Sequence, residues 1–481
     1  MTAPCSGRTI SDMMATTRPV QVEEVTKTDA YRLIVFNRAG KAVLLESASA
    51  GFDLPLIGIP RFTRPAKEIT TFLRDRWRIP SVLLFSGLLE DNPGPVHFAA
   101  LEAQVRTCTL PKGMDWFPVH HAISHLLKNK KYSVLESSYL KSTNRMPGDD
   151  AEPFSRLGWL SNLQDWVKTV IDPVGMDLKD FQQLNGCETF SLIRFDTTQA
   201  PVWFKAIGKP NLHEFPITMA LAKLFPQHTP SILASHPTYQ GWLMADAGGS
   251  SLDELVDSSA WKRVVTALAA LQIQSIGKTS DLLDAGCKDL SITKVLGLVE
   301  PFLDVVADLM KQQSKVPPPI LSQEQLSDLG AILNDALQRL AALRIPDTLG
   351  HSDFNPGNII VGPERCTFLD WAEAHVGPPF LTFEYFLAHL RKDYPQLAPF
   401  ESELRASYFR IWSSAVSPEQ VAEAYLFTPL VAVYAYAASS NVWQDPERLK
   451  VPGFQGYVRS LTRRMKQEAD SIQRRRVECL N

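Results

Sequence analysis

Three oxygen-bearing side chains in the last third of the chain have the types and spacing that phosphate chemistry requires. Asp353, Asn358 and Asp370 lie in the segment LGHSDFNPGNIIVGPERCTFLDW. Carboxylate and amide oxygens are hard ligands that suit magnesium, and a separate carboxylate can orient and deprotonate an attacking hydroxyl. We therefore predict Asn358 and Asp370 as metal ligands and Asp353 as the catalytic carboxylate. His351, which we place with Asp353 in the catalytic loop, is predicted to brace that loop by hydrogen bonds.

A short hairpin is predicted to bring these side chains together. NIIV and CTFLD have the apolar character of strands, and GPER supplies the turn between them. Two strands that leave and re-enter one loop place Asp353, Asn358 and Asp370 at the same edge. The aromatic side chains that follow are predicted to be core residues rather than a ligand cage, and they are Trp371, Phe380, Phe383, Tyr385 and Phe386.

The order of the other elements indicates an α+β fold. Three strand-like runs, DFQQLNG, FSLIRFDTT and PVWFKAIG, follow one another and predict an antiparallel meander. From Leu252 onward the pattern is helical, and leucines spaced by three and four residues follow a capping box at Ser322 and Gln325. Strands first and helices after predict two lobes rather than a doubly wound parallel sheet.

The motif H-x-D-x-x-P-G-N, followed by Asp370-Trp371 at a strand end, resembles the aminoglycoside phosphotransferase and choline kinase superfamily, relatives of protein kinases. The resemblance covers roughly residues 157–390. It implies a bilobal protein-kinase-like fold with a small antiparallel-sheet lobe and a large helical lobe. It also implies ATP and Mg²⁺ as cofactors and direct in-line transfer to a hydroxyl.

The same resemblance implies a set of nucleotide contacts upstream. Lys205 in VWFKAIG matches the lysine that holds the phosphates, and Glu214 is the candidate for its helix partner. Met244 and Ala245 in GWLMADAGG match the hinge that bonds the adenine edge, with a core strand ending in a Gly-Gly turn as the alternative. Gly186 in LNGCETF stands alone where protein kinases place three glycines in the phosphate loop.

Residues 29–140 resemble a Nudix domain whose catalytic acids are missing. The helix ending in TFLRDRWRIP replaces the family's R-E-x-x-E-E-x-G, and Asp75 alone falls where an acidic ligand is expected. Phe72 and Arg76 occupy positions that need glutamate. One carboxylate cannot assemble the magnesium cage that diphosphate hydrolysis requires, so we predict a non-hydrolytic module for docking or ligand binding.

Polar, proline-containing stretches without apolar periodicity set the predicted domain limits. We predict a flexible tail over residues 1–28, the Nudix-like domain over 29–140 and a linker over 141–156, where KSTNRMPGDDAEPF lacks apolar periodicity. The small lobe then spans 157–247 and the helical lobe spans 248–481.

Charge and cysteine usage exclude several classes of protein. The 481 residues include 49 Lys and Arg against 52 Asp and Glu, so the net charge of -3 draws the chain neither to nucleic acid nor to an anionic membrane. The longest apolar stretch, around Ala424 to Ala438, is interrupted by Pro429 and is predicted to be too short for a membrane span, and the N-terminal residues lack the apolar core of a signal peptide. The cysteines form no C-x-x-C pair and indicate a reducing, cytoplasmic compartment, and they are Cys5, Cys108, Cys187, Cys287, Cys366 and Cys479.

The sequence thus predicts an ATP- and Mg²⁺-dependent small-molecule kinase whose partners are ATP and a hydroxyl acceptor. A first alternative is a pseudokinase that serves as a nucleotide-binding or scaffold module, suggested by the single Gly186 and the degenerate first domain. A second is a Nudix-type nucleoside diphosphate hydrolase, which the missing glutamates disfavour. The intact set of Asp353, Asn358 and Asp370 argues against the first alternative.

Overall fold

The computed structural model describes residues 28–48, 51–90, 95–105, 110–128, 133–143, 153–187, 189–440 and 442–478. The tail predicted over residues 1–28 lies almost wholly outside the described residues, as does most of the linker predicted over 141–156. The chain divides into two compact units. The first unit runs to Leu212 and includes Ile232–Asp246, and the second contains His213–Ser231 and everything from Ala247 onward.

The first unit begins with a mixed sheet of seven described strands in the order β3-β2-β1-β6-β5, with β4 paired to β1 and β7 paired to β2. β1 and β2 form an antiparallel hairpin in which Phe36 lies opposite Val43. β1 and β6 are parallel. The strands are β1 Thr28–Phe36, β2 Ala42–Ala48, β3 Gly51–Asp53, β4 Leu56–Pro60, β5 Ser81–Glu90, β6 Pro95–Ala103 and β7 Met114–Pro118, and the helices are α1 Pro65–Trp77, α2 Val119–Lys128 and α3 Ser133–Ser142.

A second, antiparallel sheet follows in the same unit, after helix α4 (Trp159–Ile171). The predicted meander is confirmed, because β8, β9 and β10 pair in sequence within the order β11-β12-β10-β9-β8. Side chains of both sheets and of α4 belong to one apolar cluster, which includes Phe36, Leu84, Leu163 and Phe204. The strands are β8 Leu178–Cys187, β9 Phe190–Thr197, β10 Val202–Ile207, β11 Ile232–Ser235 and β12 Gly241–Ala245.

The second unit is predominantly helical. The predicted capping box is confirmed, since Ser322 Oγ accepts from the Gln325 amide at 3.2 Å and Gln325 Oε1 accepts from the Ser322 amide at 2.9 Å. The helices are α5 Glu214–Leu224, α6 Ser258–Ser275, α7 Thr279–Asp284, α8 Ile292–Leu296, α9 Val299–Lys311, α10 Gln323–Ala342, α11 Phe380–Asp393, α12 Glu401–Trp412, α13 Pro418–Ser439, α14 Pro446–Leu449 and α15 Pro452–Glu478.

Two small sheets of this unit position the segment from His351 to Asp370. Their strand orders are β13-β16-β17 and β14-β18-β15. The strands are β13 Ser250–Ser251, β14 Lys288–Asp289, β15 Thr348–His351, β16 Ile359–Val361, β17 Cys366–Phe368 and β18 Ala374–Gly377. The predicted α+β class is confirmed, because the antiparallel sheet β8–β12 is followed along the chain by a predominantly helical region.

Within the described residues, α13 is the one helix with the length and composition to cross a bilayer. In this structure 67% of its most apolar window is buried against neighbouring elements. Burial of this kind is usual for the core helix of a folded unit.

Candidate active site

The loop that follows β15 holds the carboxylate of Asp353 from two sides. Asn355 Nδ2 donates to Asp353 Oδ1 at 2.9 Å, and Asn358 Nδ2 donates to Asp353 Oδ2 at 3.1 Å and to the Asp353 carbonyl oxygen at 3.0 Å. Asn355 Oδ1 in turn accepts from the amide of Gly357 at 2.9 Å, which closes the turn before β16. Hydrogen bonds of this kind fix a side chain in one orientation.

His351 makes the bracing contacts that the sequence predicts. Its side chain is buried, its Nδ1 accepts from the Asp353 amide at 3.1 Å, and its Nε2 lies 3.0 Å from the Leu369 carbonyl oxygen. Because a carbonyl only accepts, the proton of a neutral ring belongs on Nε2. His351 therefore joins the Asp353 loop to the residue that precedes Asp370.

The predicted hairpin is confirmed and places Asn358 near Asp370. β16 and β17 are antiparallel with Ile359 opposite Phe368, and the Leu369 amide donates to the Asn358 carbonyl oxygen at 2.8 Å. Asp370 has φ 62° and ψ 63°, the left-handed region that a non-glycine residue adopts only when neighbouring contacts hold it there.

The electrostatics of the site show that its carboxylates are close. Burial is the main cause that raises the pKa of Asp353 to about 7, the negative charge of Asp370 acts in the same direction, and the hydrogen bonds from Asn355 and Asn358 oppose the shift. Glu373 adds a smaller effect in the same direction as Asp370. A cation beside these carboxylates would favour their ionised forms.

Tyr385, which the sequence analysis predicts as a core residue, contacts the carboxylate of Asp353. Tyr385 on α11 donates its hydroxyl to Asp353 Oδ1 at 3.3 Å. Its ring stacks on Tyr436 of α13 with centroids 5.6 Å apart, and the Tyr457 hydroxyl donates to the Tyr436 hydroxyl at 3.0 Å. An aromatic residue on a buried helix face has the same pattern whether it packs or binds, so no sequence signal separates the two roles.

The residues predicted to contact nucleotide lie in different units. Lys205 on β10 is 7% exposed, and its Nζ lies 5.3 Å from the ring centroid of Phe190 and 5.8 Å from that of Trp242. Glu214 is the first residue of α5 and is 3% exposed. Lys205 belongs to the first unit and Glu214 to the second, so their pairing stays a prediction.

The predicted hinge and phosphate-loop positions lie at strand ends of the first unit. Met244 and Ala245 close β12, where they pair with Trp203 and Val202 of β10. Gly186 lies in β8 opposite Ser191. Roles for these three residues in binding nucleotide stay predictions.

The donor chemistry of the cluster suits magnesium. Both hydrogen bonds that the Asn358 side chain donates come from Nδ2, so Oδ1 would be the atom that binds a cation. Among the described residues no group of three or more His, Cys, Asp or Glu side chains forms a metal cage. Mg²⁺ prefers one or two protein carboxylates completed by waters and phosphate oxygens, and Asn358 with Asp370 matches that pattern.

Part of the chain is similar to a family of phosphotransferases. Residues 221–422 match the model of the phosphotransferase enzyme family, abbreviated APH. The match includes Asp353, Asn358 and Asp370 and excludes Lys205 and Glu214. It confirms the predicted resemblance to aminoglycoside phosphotransferases and supports a phosphotransferase. A search of curated proteins gave no match.

Three solved structures with a similar chain path are named as choline or ethanolamine kinases or as a member of that family. A choline kinase from Cryptosporidium parvum Iowa II has 12% identity and a TM-score of 0.45, with 66% of this chain and 97% of that chain covered. Plasmodium vivax ethanolamine kinase has 15% identity and a TM-score of 0.42, with 70% and 96% covered. A choline/ethanolamine kinase family protein from Mesorhizobium loti has 15% identity and a TM-score of 0.43, with 64% and 94% covered. The Nudix-like resemblance of residues 29–140 lies outside the family match and stays a prediction.

Proposed function

We propose that this protein is an ATP- and Mg²⁺-dependent phosphotransferase that moves the γ-phosphoryl group to a hydroxyl of a small molecule. The observation that carries the proposal is the Asp353 carboxylate, held by Asn355 and Asn358 beside the charge of Asp370. Phosphoryl transfer needs little covalent chemistry from the protein and depends on positioning and on stabilising charge. A fixed carboxylate with an adjacent pair of oxygen ligands meets both needs.

Each residue has a proposed role in the transfer. Asp353 accepts the proton of the acceptor hydroxyl and aims its oxygen at phosphorus, while Asn358 and Asp370 would hold Mg²⁺. When bound, the cation neutralises charge on the terminal phosphates. Lys205, with Glu214 as its partner, is proposed to hold the nucleotide phosphates. Gly186, Met244 and Ala245 are the remaining proposed nucleotide contacts.

Labelled nucleotide tests the proposal. The full chain is incubated with [γ-³²P]ATP, Mg²⁺ and a panel of sugars, amino alcohols, nucleosides and antibiotics, and label in a small molecule is the expected result. Asp353→Asn should keep nucleotide binding and lose about 100-fold or more in turnover, since a positioned general base contributes about that factor. Asp370→Ala should lose Mg²⁺-dependent nucleotide binding. Transfer by Asp353→Asn at the wild-type rate would refute the assigned role.

The single glycine at Gly186 supports a second candidate, a nucleotide-binding module without turnover. Under this alternative the wild-type chain binds Mg²⁺ and ATP and transfers label to no member of the panel. Hydrolysis of the diphosphate linkage in nucleoside diphosphate derivatives, which yields a nucleoside monophosphate and the phosphorylated remainder, would instead support a Nudix-type hydrolase.

For residues 29–140 we propose a ligand-binding module without hydrolysis. A cavity of about 400 Å³ lies between β4 and α1, and its lining includes Phe72, Asp75 and Arg76. These are the positions where the sequence resemblance requires acids and finds only one. A thermal-shift screen of nucleoside diphosphate derivatives tests this, because a ligand that binds the folded state raises the melting temperature. A hit that Phe72→Ala abolishes would support the module.

A further inference from the structure

The loop that carries Asp370 depends on contacts from other elements. Asp370 itself lies in the strained left-handed region. After it, Trp371 Nε1 donates to the Phe368 carbonyl oxygen at 3.0 Å, and the Ser352 amide donates to the Glu373 carbonyl oxygen at 3.0 Å. The carbonyl of Ala372, between these two contacts, bonds to a residue far away in sequence.

That residue is His213, immediately before helix α5. Its Nε2 lies 2.9 Å from the Ala372 carbonyl oxygen, across 159 positions in sequence. The ring nitrogen must donate, because the carbonyl only accepts. His213 occupies the N-cap position of α5 but makes no side-chain capping bond there. The hydrogen bond of its ring to the Ala372 carbonyl therefore serves the Asp370 loop rather than the helix end.

Residues 213–231 also contact the β16–β17 hairpin at their other end, near His228. The Phe368 amide donates to the His228 carbonyl oxygen at 2.8 Å, and the His228 and Phe368 rings stack with centroids 6.0 Å apart. Arg365 in the hairpin donates to the Pro226 carbonyl oxygen at 2.9 Å. Residues 213–231 are thus joined at both ends to the hairpin and the loop after it, and they belong to the second unit.

We infer that His213 is a positioning residue that couples helix α5 to the Asp370 loop, so that the loop holds its metal-binding conformation only while this hydrogen bond is made. The inference rests on the proposed function, since it concerns how this chain would hold Mg²⁺. It also gives the start of α5, and hence Glu214, a fixed relation to Asp370. One contact then sets the position of two proposed site residues.

Substitutions at His213 test the coupling through metal affinity rather than turnover. His213→Phe keeps an aromatic ring and removes the donor, whereas His213→Gln keeps an N–H at a similar reach. His97→Phe is the matched control, because His97 stacks on Tyr31 with centroids 4.8 Å apart in the first sheet. Mn²⁺ affinity is measured by electron paramagnetic resonance with a non-hydrolysable ATP analogue, and melting temperature is measured on the same samples.

Loss of this partly buried hydrogen bond should weaken Mn²⁺ binding by up to about ten-fold in His213→Phe. We expect His213→Gln to recover most of this loss and His97→Phe to bind as the wild type does. Undiminished Mn²⁺ affinity in a folded His213→Phe variant would overturn the inference, as would equal losses in the Phe and Gln variants. A wild-type chain that binds no Mn²⁺ with the nucleotide analogue would instead refute the proposed function, and the inference with it.

Discussion

Glu384 on α11 is a buried carboxylate whose partners Arg391 and Arg405 are 39% and 25% exposed, and its removal should destabilise the second unit. The side chain is 4% exposed and accepts from Arg391 Nη1 at 2.7 Å and from the Tyr425 hydroxyl at 2.6 Å, with Arg405 Nη2 at 3.7 Å. Removing one partner of a buried ion pair costs about 3–5 kcal/mol, because the remaining charge is left uncompensated. Arg391 and Arg405 also bond Glu401, so we expect the lower end for Glu384→Ala.

A loss of about 3 kcal/mol corresponds to a fall in melting temperature of about 6–12 °C for a unit of this size. Urea unfolding gives the free energy, and hydrogen exchange of peptides from α11, α12 and α13 shows where protection is lost. Glu403→Ala is the matched control. Its bond to Lys262, at 2.6 Å, joins side chains that are 51% and 42% exposed, and such a surface pair contributes at most about 1 kcal/mol. Equal losses in the two variants would refute the reasoning.

Two further predictions concern pH and the shared core. Burial lowers the pKa of His375 to about 3, with the charge of His351 next in effect. The unfolded imidazole, with a pKa of about 6.5, therefore takes up a proton that the folded one excludes, and stability should fall by up to about 1.4 kcal/mol per pH unit as pH drops from 6.5 toward 3. Urea titrations at pH 7.5 and 5.0 should show a smaller pH slope in His375→Asn, and equal slopes would contradict this assignment. Deletion of residues 1–156 should aggregate the remaining chain on gel filtration, because Phe36 and Leu84 share a core with Leu163. A truncated chain with the same melting temperature as the full-length protein would show that this core is dispensable.

The features that sequence analysis predicts well are local. The hairpin of β16 and β17 follows from two apolar runs around a Gly-Pro turn, and the capping box at Ser322 follows from one residue pair three positions apart. Both are decided by neighbouring residues, so periodicity and turn chemistry suffice. The H-x-D-x-x-P-G-N motif places Asp353 and Asn358 on one loop for the same reason.

The features that sequence analysis misses depend on contacts between distant segments. Tyr385 meets Asp353 from 32 positions away, and His213 meets Ala372 from 159 positions away. Neither contact produces a periodic pattern in the sequence, because a single hydrogen bond requires only one residue at one position. The common core of the two sheets of the first unit is also hidden, since an apolar face has the same pattern whichever partner covers it.

These distant contacts explain how the candidate site is assembled before any nucleotide binds. His351 bonds both the Asp353 amide and the Leu369 carbonyl, and the Leu369 amide bonds the Asn358 carbonyl. Backbone and imidazole hydrogen bonds therefore join Asp353 and the proposed metal ligands, Asn358 and Asp370, within a single unit. Groups fixed in this way need no reorganisation as charge develops on the transferring phosphoryl group, and such preorganisation is the main source of electrostatic catalysis. The left-handed backbone conformation of Asp370 costs free energy. A role of its carboxylate in holding a cation would explain why the fold keeps this conformation.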